Sequence, residues 1–205
     1  MSQATVTRWW WVRHAPVMGM TGAIVGQADP DADCGDDDKL RALAARLPAA
    51  AVVVASPLRR SRQTAAALRG EPAAIEPDLA EQHFGAWQGR RWGDLANDPV
   101  AGRFWHAPAT TAPPDGESFA QVVARVTHAI GRLTAAHAGA DIVAVAHAGT
   151  IRAALAHALA LTPEGALGFV IDPLSLTRLD RIDDGVAGGW RIGGVNLPHE
   201  VATVT

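Results

Sequence analysis

The chain has 205 residues, of which 48% are hydrophobic and 19% are charged, enough to bury one substantial core. The chain has eighteen lysine and arginine residues and twenty-one acidic residues, so no excess of positive charge indicates a nucleic-acid or membrane partner. Cys34 is the single cysteine, which excludes an intrachain disulfide. With no bilayer-spanning apolar run and no signal-peptide pattern, we expect one cytoplasmic domain over residues 1–205, monomeric or homodimeric.

Apolar runs and turn residues predict alternating strands and helices in the first half of the chain. Residues 8–12 form an unalternated apolar run with three tryptophans, which predicts a central strand whose rings fill the core. A loop rich in Gly, Pro and Asp then leads to a helix with an acidic first turn at residues 36–38. A second buried strand over residues 50–56 ends at Ser56 and Pro57, which predict the cap and first position of the next helix.

The second half continues the alternation and changes character at its end. Four prolines within residues 99–117 predict a long surface excursion, with a loop or lid at about 93–117. Ser118 caps a strongly amphipathic helix, and residues 141–147 form a third buried strand that precedes another helix. Three strand-like runs close the chain: "FVID", "LSLTRLDRI" and "GWRIGGVNL". The pattern predicts an α/β fold with an antiparallel end.

Three predicted strands end in side chains that suit phosphate chemistry. The first strand ends in Arg13 and His14, the second in Ser56 and an arginine-rich turn, and the third in His147. Because the carboxyl ends of parallel strands meet at one edge of a sheet, we expect these groups to converge. A neutral histidine can act as a nucleophile, and arginine binds phosphate oxygens in a planar fork. The combination favours phosphoryl transfer through a phosphohistidine.

A family resemblance rests on five ordered segments that span roughly residues 8–160. The segments are "VRHAPV", "SPLRRSRQTA", "LAEQHFGAWQGRRW", "PPDGESFAQVVARV" and "VAHAGTIRAAL". In order and approximate spacing they resemble the histidine phosphatase superfamily, also called phosphoglycerate mutase-like. The resemblance implies a three-layer α/β/α sandwich around a mostly parallel central sheet.

The resemblance implies a catalytic role for five residues. His14 is expected to accept the phosphoryl group, with Arg13 as a neighbouring phosphate ligand. Within "SPLRRSRQTA" the family's arginine lies four residues after the serine, which selects Arg60. Glu81 matches the proton donor to the leaving group, and His147 matches the second phosphate-binding histidine, expected to be protonated. No metal ion is required.

Substrate contacts and two departures from the family pattern complete the set of candidates. Gln27, Trp87 and Ala148 are candidate substrate-binding residues. Trp87 has two interpretations, a stacking face for an aromatic leaving group or packing beneath the long loop. Ala15 and Pro16 stand where a glycine and an acidic or amide residue are usual, and proline removes one backbone N–H. All the expected catalytic groups are retained.

We therefore expect a phosphomonoester hydrolase that acts on a small phosphorylated metabolite without a metal ion or other cofactor. The short chain with one lysine favours this over a phosphoglycerate mutase-type phosphotransferase. A protein that binds a phosphorylated ligand without turnover is a further alternative. The segments "HFGAWQGRRW", "DGESF" and "WRIGGVNL" resemble the α-ribazole phosphatase branch, which makes α-ribazole phosphate a candidate substrate. No HExxH-type motif supports a metal hydrolase.

Overall fold

The computed structural model describes residues 4–70, 74–186 and 188–199. The strands within them are β1 (Thr5–Arg13), β2 (Val52–Ala55), β3 (Ala74–Ile75), β4 (Asp141–Ala146), β5 (Leu176–Asp183) and β6 (Gly189–Leu197). The helices are α1 (Asp37–Ala45), α2 (Arg59–Arg69), α3 (Pro99–His106), α4 (Phe119–Ala136), α5 (Ala148–Leu159) and α6 (Pro163–Leu167). The strands form one sheet in the order β3-β2-β4-β1-β5-β6.

Helices cover both faces of this sheet, which confirms the α/β fold and the predicted three layers. Helices α4 and α5 pack on one face, and α1 and α2 pack on the other. Strands β1 to β4 run parallel to one another. Strand β5 pairs antiparallel with β1, and β6 pairs antiparallel with β5, so these two strands form the predicted antiparallel end. No helix among the described residues combines the length and apolar composition that a membrane crossing needs.

The tryptophans of β1 divide between the two faces because side chains alternate along a strand. Trp9 and Trp11 are fully buried beneath α4 and α5, with their rings stacked at 5.0 Å between centroids. Trp10 faces the other side, is half-buried, and lies under the guanidinium of Arg178 at 4.6 Å. The strand is thus anchored in both cores, and its carboxyl end is held in a fixed position.

Two local predictions for residues beside the strands are wrong. Helix α2 begins at Arg59 rather than Pro57, and Leu58 precedes it without a side-chain cap. The Ser56 hydroxyl lies 2.7 Å from a ring nitrogen of His147 instead of capping the helix. The run "FVID" at residues 169–172 is a loop. Two of its carbonyl groups accept hydrogen bonds from arginine side chains and form no strand ladder.

The excursion after residue 93 is partly helical rather than a plain loop. Asp98 accepts hydrogen bonds from the backbone N–H groups of Val100 and Ala101, and Pro99 occupies the first turn of α3. Proline suits that position because the first helical N–H groups have no partner within the helix. Ser118 caps α4 in a reciprocal capping box with Gln121, as predicted. The prolines therefore mark a helix start as well as turns.

Candidate active site

The register of the parallel strands brings the two predicted histidines together. Arg13 of β1 lies opposite Ala146 of β4, so His14 and His147 leave the sheet side by side. The backbone N–H of His14 donates to the Ala146 carbonyl at 2.9 Å, and the two imidazole centroids are 5.0 Å apart. Strand β2 ends at the same edge, where Ser56 follows. The three strand ends therefore form one site.

His14 is held as one neutral tautomer. Its Nδ1 donates to the Ala15 carbonyl at 2.6 Å, which leaves Nε2 with the lone pair. Burial lowers the pKa of His14 to about 3, and the nearby charges of Arg60 and Arg13 act in the same direction. Only 5% of the residue is exposed. At neutral pH, Nε2 is thus an unprotonated nitrogen at a fixed position.

The turn after His14 explains how the two unusual residues are accommodated. The Ala15 N–H donates to Thr64 Oγ1 at 2.9 Å, and the Thr64 hydroxyl donates to the Arg60 carbonyl at 2.7 Å. The Ala15 methyl is buried in the core beside β2 and α2. The Pro16 carbonyl accepts a hydrogen bond from the Asp33 N–H at 2.7 Å. The turn is therefore fixed by α2 and by the following loop.

Arg60 is a buried cation oriented by backbone carbonyl groups. Its Nη1 donates to Ala28 at 2.8 Å and its Nη2 donates to Gly26 at 2.7 Å. Its Nε donates a hydrogen bond at 3.2 Å to His14 Nε2, which is the atom that must be released for attack. Burial lowers the pKa of Arg60, and the negative charge of Glu81 opposes that effect. The residue is 1% exposed, so its guanidinium is a preorganised positive group beside the candidate nucleophile.

Arg13 and His147 each carry a buried nitrogen for which the described residues supply no partner. The Arg13 Nη1 donates to the Ile171 carbonyl at 2.6 Å, whereas its Nε is unpaired. His147 Nε2 is hydrogen-bonded with the hydroxyls of Ser56 at 2.7 Å and Ser61 at 3.2 Å, whereas its Nδ1 is unpaired. Buried polar atoms normally have partners, so two such nitrogens on residues next to the His14 ring are candidates for binding a ligand.

Burial and neighbouring cations disfavour the protonated form of His147 that is expected from the sequence at a bound phosphoryl group. The ring is fully buried, and burial lowers its pKa well below the usual value, with His14 and Arg60 adding to the effect. In the neutral tautomer with its proton on Nδ1, Nε2 accepts from the serine hydroxyls and Nδ1–H is available to donate to a ligand. Sequence reasoning missed Ser56 and Ser61 as the groups that orient His147, although both stand in the segment "SPLRRSRQTA".

Glu81 reaches the site from the segment after β3 and meets the start of α5. Its Oε2 accepts a hydrogen bond from the Gly149 N–H at 3.2 Å, and its Oε1 accepts one from the Gln82 N–H at 3.0 Å. A Cβ atom on Gly149 would lie 2.2 Å from Oε1, so only glycine leaves room for this carboxylate. Ala148, the first residue of α5, is half-buried beside it.

The other two substrate-binding candidates differ in their placement. Gln27 is half-buried and donates from Nε2 to the Glu81 carbonyl at 2.9 Å, so it lies against the site. Trp87 is fully buried, packs edge-on against Phe104 at 5.3 Å, and donates from Nε1 to Asp98 at 3.0 Å. The assignment of Trp87 to substrate binding is therefore wrong, because its ring faces are covered by the core beneath the excursion.

Positive charge dominates the site. Arg13, Arg60 and Arg152 all lie within electrostatic range of Glu81. Burial lowers the pKa of all three guanidinium groups, yet an arginine remains charged at neutral pH. Within residues 4–70, 74–186 and 188–199, no cluster of three or more His, Cys, Asp or Glu residues could hold a metal ion. These three cations suit an anionic group with several oxygens, such as a phosphoryl group.

Known proteins share this fold and parts of this sequence. A glucosyl-3-phosphoglycerate phosphatase of Mycolicibacterium vanbaalenii is 37% identical over 123 residues, covering 56% of this chain and 54% of that protein. A bifunctional protein of Mycobacterium tuberculosis is 36% identical over 105 residues, which cover 49% of this chain and 29% of that protein. The chain thus spans about half or less of the length of these curated relatives.

Solved structures match nearly the whole chain. A mycobacterial glucosyl-3-phosphoglycerate phosphatase superposes with a TM-score of 0.79 at 28% identity, covering 95% of this chain and 100% of that one. The α-ribazole phosphatase of Shigella flexneri gives a TM-score of 0.78 at 24% identity, covering 92% and 96%, and shows the shared fold. The sequence itself matches the histidine phosphatase superfamily (branch 1) over residues 9–193. The chain belongs to the histidine phosphatase superfamily.

Proposed function

We propose that this protein hydrolyses phosphate monoesters through a phosphohistidine formed on His14. The proposal rests on one observation. A neutral His14 Nε2 lies in the same site as two buried nitrogens, one on Arg13 and one on His147, that have no hydrogen-bond partner among the described residues. The N–H groups of Arg13 and His147 can donate hydrogen bonds to phosphoryl oxygens, which are strong acceptors. Membership of the histidine phosphatase superfamily and the phosphatase names of several relatives support the same reaction.

In the first step, the Nε2 lone pair of His14 attacks phosphorus, and the bond from phosphorus to the ester oxygen breaks. Glu81, in its protonated form, gives its proton to that oxygen, so the alcohol leaves neutral. Arg13, Arg60 and the Nδ1–H of His147 stabilise the charge on the transferring oxygens. In the second step, water attacks phosphorus and Glu81 takes its proton. The P–N bond breaks, and inorganic phosphate is released.

The substrate we propose is a small phosphorylated metabolite. Glucosyl-3-phosphoglycerate is one candidate, because relatives with that named activity match this sequence at 36–37% identity. α-Ribazole phosphate is a second candidate, from the sequence segments described above and the shared fold. Binding at the phosphate is the same for both, since Arg13, Arg60 and His147 would contact only the phosphoryl group. The loops around Gln27 and the excursion after residue 93 would distinguish them.

The test is phosphate release by the purified chain from p-nitrophenyl phosphate and from a panel of metabolites without added metal. The panel contains glucosyl-3-phosphoglycerate, α-ribazole phosphate, phosphoserine and phosphoglycerates. His14→Ala is expected to lower kcat by at least ~10³-fold, since it removes the nucleophile. Acid-labile ³²P on the wild-type protein and none on His14→Ala would identify the intermediate.

Other outcomes identify the alternatives. Wild-type activity in His14→Ala rules out the phosphohistidine route. Transfer of phosphate between the positions of a phosphoglycerate, in place of release, indicates a mutase-type phosphotransferase. Binding of the panel without release indicates a phospho-ligand-binding protein.

A further inference from the structure

Arg125 of α4 holds the backbone that carries Glu81. Its Nη1 donates to the carbonyls of Asp78 at 2.6 Å and Ala80 at 2.8 Å, and its Nη2 donates to the Glu81 carbonyl at 3.1 Å. The side chain is 19% exposed, so these hydrogen bonds are largely shielded from water. One guanidinium therefore binds three carbonyl groups within four consecutive residues.

Glu117 fixes the orientation of that guanidinium. Its two carboxylate oxygens accept from Arg125 Nε at 3.0 Å and from Nη2 at 2.8 Å, a two-point ion pair. Its Oε1 also accepts from the His83 N–H at 2.9 Å, and its backbone carbonyl accepts from Gln82 Nε2 at 2.9 Å. Arg125 and Glu117 thus bind the chain on both sides of Glu81.

This arrangement has a physical reason in the local chain. After the short 3-10 turn at Pro77–Leu79, the segment joins no strand or helix, so side chains supply donors to its carbonyl groups. Thr150 Oγ1 of α5 donates to those of Leu79 and Ala80 at 3.2 Å, and Gln27 Nε2 donates to that of Glu81. Unpaired buried carbonyls would destabilise it or allow it to shift. Arg125 adds a second donor at Ala80 and at Glu81 and also binds the Asp78 carbonyl, while the Gly149 N–H binds the carboxylate end of the Glu81 side chain. Backbone and carboxylate are then both fixed.

We propose that Arg125, oriented by Glu117, is a positioning residue that sets Glu81 for proton donation to the leaving group. This inference rests on the proposed function, in which Glu81 is the general acid. Arg125 binds backbone carbonyls and Glu117, and the phosphoryl group is bound by other arginines. Its loss should therefore impair proton transfer more than phosphate binding.

Leaving-group chemistry distinguishes positioning from a general structural role. p-Nitrophenolate is a stable anion and leaves with little help from an acid, whereas an aliphatic alkoxide needs a proton as it leaves. General acid catalysis contributes typically ~10²–10⁴-fold. Arg125→Gln is expected to lower kcat/KM, which reports the steps through phosphorylation of His14, by ~10²-fold or more for glycerol phosphate and by less than about 5-fold for p-nitrophenyl phosphate.

The experiment compares four full-length variants with the wild type on both esters. Glu81→Gln is the reference for loss of the acid, and Glu117→Gln tests the orienting ion pair with a smaller defect in the same direction. Arg132→Gln is the matched control: this arginine also lies on α4 and ion-pairs with Glu76, upstream of Glu81, without contacting it. Arg132→Gln is expected to change kcat/KM for the two esters equally and by less than about 3-fold.

Inhibition by inorganic phosphate and thermal unfolding are measured alongside. We expect Arg125→Gln to keep the phosphate inhibition constant within about 3-fold, because the phosphate-binding groups are unchanged. Equal losses on both esters in Arg125→Gln and Glu117→Gln, or no loss in either, would overturn the positioning role. If the wild type releases phosphate from neither ester nor from the metabolite panel, the proposed function itself fails.

Discussion

The two ends of the central sheet hold similar residue types in different surroundings. At the carboxyl end of β1, His14 and Arg60 are buried, and backbone carbonyls orient both. At the amino end, a cavity of about 340 Å³ is lined by His157 and Arg181 among others. There the His157 ring packs edge-on against Trp190 at 5.5 Å and is half-buried.

A histidine and an arginine lie near each other at both ends, so residue type alone does not distinguish the candidate active site from the other end of the sheet. Burial lowers the pKa of His157 as it does that of His14, and in both cases a nearby arginine adds to the effect. The carboxyl end differs in the hydrogen bonds that fix each ring and guanidinium before any ligand arrives. Such preorganised groups stabilise a transition state without the cost of ordering them during the reaction.

The largest expected difference between the ends comes from the same substitution at two histidines. His147→Gln is expected to lower kcat/KM for p-nitrophenyl phosphate by ~10²–10³-fold, since an amide cannot reproduce an Nδ1–H donor on a ring whose Nε2 is fixed by two serines. His157→Gln is expected to change it by less than about 2-fold. Steady-state kinetics of both variants measure this contrast. Comparable losses of kcat/KM in His147→Gln and His157→Gln would show that the two ends of the sheet do not differ in their importance for the reaction.

A pair of glycines gives the next largest contrast. Gly149→Ala places a methyl 2.2 Å from Glu81 Oε1, so the carboxylate must move, which is expected to cost ~10²-fold in kcat. Gly131 lines the opposite cavity within α4, and a methyl there meets no atom within 4 Å. Gly131→Ala should leave kcat unchanged and raise the free energy of unfolding by about 0.5–1 kcal/mol.

Kinetics and urea unfolding of both glycine variants test this pair. The pattern would be contradicted by full activity in Gly149→Ala or by an activity loss in Gly131→Ala. Full activity in Gly149→Ala would mean that the contact between α5 and Glu81 does not fix the acid, and a loss in Gly131→Ala would mean that the amino-end cavity contributes to activity.

The smallest expected effect is on the pH dependence of stability. The pKa of His14 is about 3 in the folded protein and about 6.5 when unfolded, and that of His147 is lowered as well. Between these values the unfolded chain binds more protons, so stability falls as pH decreases from about 6.5 toward 3. For His14 the loss approaches about 1.4 kcal/mol per pH unit within that range, and His147 adds to it in the same direction.

Urea unfolding at pH 7.5 and 5.0 measures this dependence. His14→Gln should flatten it, because glutamine does not titrate, whereas His157→Gln should flatten it less, since His157 is only half-buried. An unchanged slope in His14→Gln would show that the imidazole is solvated in the folded state.

Sequence patterns predicted the features that depend on neighbours along the chain. Apolar runs identified β1, β2 and β4, and the spacing of apolar residues identified α4 with Ser118 as its cap. The ordered segments placed Arg13, His14, Arg60, Glu81 and His147, and the structure brings all five to one edge of the sheet. Family membership was predicted from those segments and is confirmed.

Local patterns failed where a distant partner decided the outcome. Ser56 was assigned to a helix cap because serine before proline favours one, yet His147 binds its hydroxyl. "FVID" has strand-forming residues, but the Ile171 carbonyl accepts a hydrogen bond from Arg13 and the Phe169 carbonyl accepts one from Arg152. Side-chain hydrogen bonds to distant backbone have no period in the sequence, so no pattern reveals them.

The sequence by itself determined which chemical groups the protein has and that three strands would deliver them to one edge, because parallel strands share a direction. The tertiary structure alone decided their protonation and orientation. Atoms far apart in the chain determine that His147 is neutral and that the Trp87 ring is buried. They also determine that a methyl group at position 149 would displace Glu81 and that Arg125 binds carbonyl groups within residues 78–81. Burial and hydrogen-bond geometry are properties of the packed fold, and they set what these residues can do.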